Sequence, residues 1–276
     1  MRVGIAGSAT SGRPDVSLAR SVPHLLHGRT RATILGASSI VLTIGIWQLV
    51  ATLKLVRTLF LPPPLKVAGA LGTLMTGGPI YHDLAVSGEE FCIGLAISVV
   101  IGGLLGIITG WYKAADEFFK PIVIGLNSMP QVAMIPLLIL IFGIGVAPKV
   151  IVVVLSCATV ILLNTAAGVQ NVEERLMRMA RSFGATDRQA IRTVVLPHLV
   201  PFFMTGFRIS IGRALIGVVV GEIFASRAGI GNLLISASNN FNMPVMYASV
   251  IVITVIGIIL TQCAAVLERR MQAWRA

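Results

Sequence analysis

The chain has 276 residues, of which 55% are apolar and only 12% charged, and its mean hydropathy is +0.89. A soluble domain carries about 25% charged residues, so this composition cannot supply the polar shell of a water-soluble protein and places the chain in the bilayer. The net charge of +11 lies in short segments between apolar runs, which suits the charge bias of membrane loops and argues against nucleic acid as a partner.

Residues 1–31, rich in Ser, Gly, Pro and Arg, read as a flexible tail. The first apolar run, Ala32 to Leu53, reaches the roughly 20 residues needed to cross a bilayer and is read as a retained helix rather than a cleaved signal. Five further runs follow at 83–112, 118–143, 149–170, 199–222 and 245–267. The expected architecture is an all-α integral membrane protein of about six transmembrane helices, with a tail over 1–31 and a membrane domain over 32–276. Six spans leave both termini on one side. The segments on that side hold fifteen Lys and Arg; the opposite segments hold five, Lys54, Arg57, Lys66, Lys149 and Arg227. Both termini are therefore expected in the cytoplasm. Cys92, Cys157 and Cys263 fall inside apolar runs, with neither metal-ligand nor disulfide spacing.

The second span carries a ladder of small residues, Gly94, Ser98, Gly102, Gly106 and Gly110, each four apart. Residues at i and i+4 share a helix face, so a neighbouring helix can approach along its length. The third span holds Pro121, Pro130 and Pro136 with Asn127 and Gln131. Proline frees backbone carbonyls, which a membrane tolerates where the break lines a cavity or where polar side chains glue helices together. Both readings stay open here.

Between the fourth and fifth spans, Val172, Leu176, Met179, Ala180 and Phe183 fall on one helical face. Gly184 stands where a helix end favours positive φ, and Thr186-Asp187-Arg188-Gln189 is a capping-box pattern for a second helix, expected to stop at Leu196-Pro197. An amphipathic helix–turn–helix of this kind can rest on lipid headgroups or fit a groove on a soluble partner.

The same stretch reads Arg178-Met179-Ala180, three residues, Gly184, nine residues, then Val194-Val195-Leu196-Pro197. This resembles the EAA-x3-G-x9-I-x-L-P motif in permeases of binding-protein-dependent ABC importers, with Arg178 in place of the family's Glu and Met179 in place of its first Ala. Pro130-Gln131-Val132-Ala133-Met134-Ile135-Pro136-Leu137 with Phe142-Gly143-Ile144-Gly145 is similar to the nitrate, sulfonate and taurine branch. So are Leu196-Pro197-His198-Leu199-Val200-Pro201, Thr205-Gly206-Phe207-Arg208, Gly221-Glu222 and Gly229-Ile230-Gly231. The branch often has arginine near the position of Glu90.

The resemblance covers roughly residues 60–275, with its core at about 80–270. It implies a MetI-like type I permease fold in the cell inner membrane. The loop 171–197 would couple to an ATP-binding subunit through Arg178, Met179, Ala180, Gly184, Ala185, Val194, Leu196 and Pro197. It further implies a second permease copy as partner, with ATP and Mg held on the ATPase chain and no cofactor on this one. An extracytoplasmic binding protein or lipoprotein would deliver a small, anionic solute near 222–244. Candidate pathway residues are Asn127, Met129, Gln131 and Arg213.

Arginine at mid-bilayer costs about 2.5–3.5 kcal/mol and needs a partner or water. Counting 1.5 Å per residue, Arg213 lies roughly 22 Å from the start of the fifth span and Glu90 roughly 10 Å from the opposite surface. In a core about 30 Å thick these heights nearly coincide, so a Glu90–Arg213 pair is expected, with attraction of an anionic substrate to Arg213 as the rival reading. No phosphate-cradling G-x4-G-K-[ST], HExxH or GxSxG sequence is present, so the chain is expected to be a transport subunit and not an enzyme. A secondary transporter or channel, the alternative function, would be expected to show inverted repeats or intramembrane ion ligands.

Overall fold

The computed structural model describes residues 27–77 and 79–272, which fold into helices and connecting turns. The expected flexible tail lies outside the described residues up to position 26; residues 27–31 open the first helix. The chain divides into two compact units, one ending at Val50 and one beginning at Ala51. α1 (His27–Thr52), all but its last two residues in the first unit, exposes Ile34, Leu35, Ile40 and Val41, a surface that lipid solvates without cost.

The second unit holds α2 (Pro64–Thr76), α3 (Pro79–Trp111), α4 (Lys113–Ser128), α5 (Ile135–Phe142), α6 (Val146–Gln170), α7 (Glu174–Ser182), α8 (Asp187–Ala190), α9 (Leu196–Ala225), α10 (Ile230–Asn239) and α11 (Met243–Gln272). Among the described residues five helices, α1, α3, α6, α9 and α11, are long and apolar enough to cross a membrane. The pair α4 and α5, bent by 85° at its break, counts as a sixth when taken as one broken span. A 3-10 turn, Gln131–Met134, leads from the break into α5.

α6 is the axle of the bundle. In its most apolar stretch 67% of residues are buried, against 17% in α11, which faces outward. The ladder on α3 explains how α6 comes so close. A β-carbon on Gly102 would stand 2.6 Å from the Ala158 carbonyl oxygen, and one on Gly110 only 2.5 Å from Val169 Cβ. Gly94 faces Val153 and Gly106 faces Leu162 and Thr165 in the same way. Between them Ser98, fully buried, folds its hydroxyl onto the Gly94 carbonyl at 2.6 Å. Bare backbone on α3 thus lets two helices meet where side chains would hold them apart.

α2 and α10 have no counterpart in the sequence reading. α2 starts at Pro64, whose missing N–H costs nothing in a first turn. Its Val67 is buried, and Leu71 and Leu74 pack with Ile80, Ile230 and Val252 from α3, α10 and α11.

Candidate functional site

Three places in the second unit carry chemistry. The first is the loop between α6 and α9. Gly184 has φ +77°; its N–H donates to the Arg181 carbonyl at 2.9 Å and the Ala185 N–H to the Ala180 carbonyl at 3.1 Å. These two bonds make a Schellman stop. Thr186 then caps α8: Gln189 N–H donates to its Oγ1 at 3.4 Å, while its own N–H donates to Gln189 Oε1 at 2.8 Å.

The apolar face expected here is split. Val172 and Met177 turn inward against Val169, Val195 and Leu199. Leu176, Met179 and Phe183 remain outside, 41%, 50% and 86% exposed. Arg178 and Arg181, also exposed, approach Glu174 at 3.9 Å and Asp187 at 3.8 Å.

The expected stop at Leu196-Pro197 is corrected by the structure. α8 passes through one π turn, Ile191–Val195, directly into α9, with Leu196 N–H donating to the Ile191 carbonyl. Pro197 sits in the first turn of α9, and the widened turn before it relieves the clash of its ring with the preceding carbonyl. Helix therefore runs without a gap from the cap at Thr186 to Ala225.

The second place is the broken span. Gln131 Nε2 donates to the Leu126 carbonyl at 2.6 Å, bridging the break and satisfying a carbonyl that the break frees. Arg213, partly buried midway along α9, donates from Nη1 to Asn127 Oδ1 at 3.3 Å and to the Ser156 carbonyl at 3.5 Å. Met129 sits partly buried at the break itself. Asn127 and Arg213 are thus brought together, while the Gln131 side chain is committed to the backbone.

The third place lies at the far end of α9 from that loop. Lys149 and Glu90, 2% and 1% exposed, form an ion pair from α6 to α3. The expected Glu90–Arg213 pair is therefore wrong. α3 lies against α6 along the ladder, which delivers the Lys149 ammonium to Glu90, whereas Arg213 faces the break of α4. Lys149 also donates to Ser226 Oγ at 3.1 Å, and its stem fits because Gly221 has no side chain to meet it. Lys149 is consequently no loop residue, contrary to the sequence count.

Around that pair, side chains of α3 and α9 hold the α9–α10 turn. Ser87 Oγ donates to Glu222 Oε1 at 2.5 Å, and Gly231 N–H donates to Glu222 Oε2 at 2.7 Å. Gly229 N–H donates to Asp83 Oδ1 at 2.8 Å and Ile230 N–H to Ser87 Oγ at 3.0 Å. Sequence reasoning missed this network. Its available signal was the set of polar residues Asp83, Ser87 and Glu222 bordering apolar runs. Arg208, the other arginine of α9, approaches Glu268 of α11 at 3.7 Å.

Comparison with known proteins gives the family and the fold. Residues 100–273 match the family described as "Binding-protein-dependent transport system inner membrane component". The chain is 28% identical over 232 residues to a putative aliphatic sulfonates transport permease protein, SsuC, of Bacillus subtilis, covering 84% of each chain. It is 30% identical over 252 residues to the taurine transport system permease protein TauC of Escherichia coli, covering 89% of this chain and 91% of that one. Among solved structures, a chain of the inward-facing MetNI methionine ABC transporter superposes with a TM-score of 0.56 at 20% identity. The match covers 70% of this chain and 94% of that one, and it gives the MetI-like fold. The chain belongs to the family of binding-protein-dependent inner membrane transport components and is the membrane-spanning permease subunit of an ABC importer, with ATP hydrolysis on a separate chain.

Proposed function

We propose that two copies of this chain form the pathway for a small anionic solute of the sulfonate class, delivered by an extracytoplasmic binding protein. Each copy docks one ATP-binding subunit through the loop 171–197, and ATP with Mg is held there. The observation that carries the docking role is the exposed stripe Leu176, Met179 and Phe183 on a motif fixed by a Schellman stop and a capping box. Exposed apolar residues at i, i+3 and i+7 make one edge of a helix, the form in which amphipathic helices enter a partner's groove. The unbroken helix from Thr186 to Ala225 then carries any displacement of the loop into the membrane as a rigid-body motion. With Lys149 removed from the count, the opposite side holds four Lys and Arg against fifteen, which favours cytoplasmic termini and a cytoplasmic docking loop.

The test is co-purification of the ATP-binding subunit from the native host. Phe183→Asp is expected to weaken that association about 30-fold or more, the loss typical of a buried aromatic anchor, while leaving the bundle intact, because this side chain buries nothing within the chain. Gly184→Val is expected to act similarly by another route. No atom lies within 4 Å of its Cα substituent position, so its cost comes from φ +77° alone, about 1–2 kcal/mol for an L-residue. Gly184→Asn, which tolerates that conformation, is expected to retain binding. Full recovery of the ATPase with Phe183→Asp would place the docking surface elsewhere. A chain that transports in vesicles without ATP would favour a secondary carrier.

A further inference from the structure

We infer that Arg213 and Asn127 form an oxyanion-selecting site at mid-membrane, the point where the pathway discriminates for solutes bearing a sulfonate or similar group. The inference rests on the reading of the chain as a pathway subunit and adds what that pathway recognises.

Arg213 lies seventeen residues beyond Leu196 and twelve before Ala225 in α9, close to the middle of the span. A cation there is costly unless something answers it. Among the described residues no carboxylate lies within 4 Å of its guanidinium. The two buried acids of the bundle are engaged elsewhere, Glu90 with Lys149, and Glu222 with Ser87 and the Gly231 N–H. What Arg213 does hold is weak: both of its contacts leave from Nη1 and lie at 3.3 and 3.5 Å, at the long limit of hydrogen bonding. Nε and Nη2 meet no acceptor among the described residues, and neither does the Asn127 amide nitrogen.

The unanswered groups of the site are therefore donors and one positive charge, its two acceptors, Asn127 Oδ1 and the Ser156 carbonyl, being already turned to Arg213 Nη1. A guanidinium edge presents two parallel N–H groups to two oxygens of a planar or tetrahedral oxyanion, which is the geometry for which arginine is chosen over lysine. Asn127, on α4, adds a third donor from its amide nitrogen. The 85° bend that begins just after it keeps α5 from continuing along α4, and Asn127 itself is exposed. A site of this composition repels metal cations and ammonium groups. It also holds its anion by only a few donors, so that a solute can leave as readily as it enters.

The experiment uses the full chain in membrane vesicles with its ATPase subunit. The exposed Cys92 and Cys263 are replaced by Ser, while Cys157 is buried and stays. Asn127→Cys is then labelled with two methanethiosulfonate reagents of similar size, one ending in a sulfonate and one in trimethylammonium. The ratio of the two rates cancels the intrinsic reactivity of the thiol. With Arg213 present, the ratio is expected to favour the sulfonate reagent by about tenfold or more over the ratio in Arg213→Gln, as a nearby unscreened charge requires. Arg213→Lys is expected to retain most of the preference. An unchanged ratio in Arg213→Gln overturns the anion site while leaving position 127 on the pathway. Absence of labelling by either reagent, in a complex that still holds its ATPase, overturns the pathway assignment of Asn127 and the site with it.

Discussion

Replacing Lys149 by Ala is expected to destabilise the bundle by about 3–5 kcal/mol, the cost of leaving a buried charge without its partner. Lys149 and Glu90 are both nearly inaccessible, and Glu90 Oε2 already lacks a hydrogen-bond partner. Removing the ammonium would strand the whole carboxylate between α3 and α6. It would also release Ser226, which Lys149 holds at the start of the α9–α10 turn. The pair itself contributes much less than its rupture costs, since its Coulombic gain offsets a large desolvation penalty. The double change Glu90→Leu with Lys149→Met keeps the volume and removes both charges, so it is expected to recover most of the loss. Thermal melting of the detergent-solubilised chain reads both effects, with Lys149→Ala lowering the midpoint by about 10 °C. A double-mutant cycle that returned additive losses would dissolve the pair as an energetic unit. Glu90→Arg places two cations against each other here and is expected to be at least as damaging as Lys149→Ala.

That pair also marks where one-dimensional reasoning stopped. Counting residues from the expected span starts gives Glu90 and Arg213 nearly equal heights, but the structure separates them: Glu90 meets Lys149 beside Gly221, eight residues beyond Arg213 on α9, or about 12 Å at 1.5 Å per residue. A count also leaves the direction of a side chain around the helix axis undetermined, and it is Lys149 that shares the depth of Glu90. Because Lys149 stands at the edge of an apolar run, the loop count absorbed it, and nothing in its neighbours in sequence says that its ammonium reaches across to α3. The ladder on α3 was legible because a period of four needs no partner to be recognised. Gly184 and the Thr186–Gln189 box were legible for a similar reason: a helix stop and a helix start are local chemistry.

Local chemistry misled at Pro197, where proline was read as an end. A first turn has free N–H groups to spare, so α9 accepts that residue once the turn before it widens. The three prolines of the third span announced a break, but its 85° angle depends on what α5 packs against, namely Val152 and Val220 on α6 and α9. α2 escaped notice because it is too short to span. The spacing of Val67, Leu71 and Leu74 was nevertheless helical, and a search for amphipathic helices rather than apolar runs would have found it.

Gly102→Leu is expected to prevent accumulation of folded protein, whereas Gly103→Ala, one residue away on the same helix, is expected to change stability by no more than about 0.5 kcal/mol. A β-carbon at Gly102 would lie 2.6 Å from a backbone oxygen of α6, which cannot rotate aside as a side chain can. Inserting methylenes into a packed core costs about 1–3 kcal/mol when neighbours yield, and more when they do not. Here α6 has little room to retreat, because glycines of α9 press on it as well. Gly206 stands against Asn164, and Gly217 against Val153, with hypothetical β-carbon distances of 2.9 and 3.1 Å. Displacing α6 from α3 would therefore also disturb its close packing on α9 and the network around Lys149. At Gly103 the nearest foreign atom is the Phe203 ring edge at 3.6 Å, an ordinary contact. Fluorescence-detected size exclusion of tagged variants reads the outcome directly. A monodisperse Gly102→Leu protein would mean that the α3–α6 contact has slack, and the bundle could then not pass a displacement of the loop at Gly184 to the far end as a rigid body.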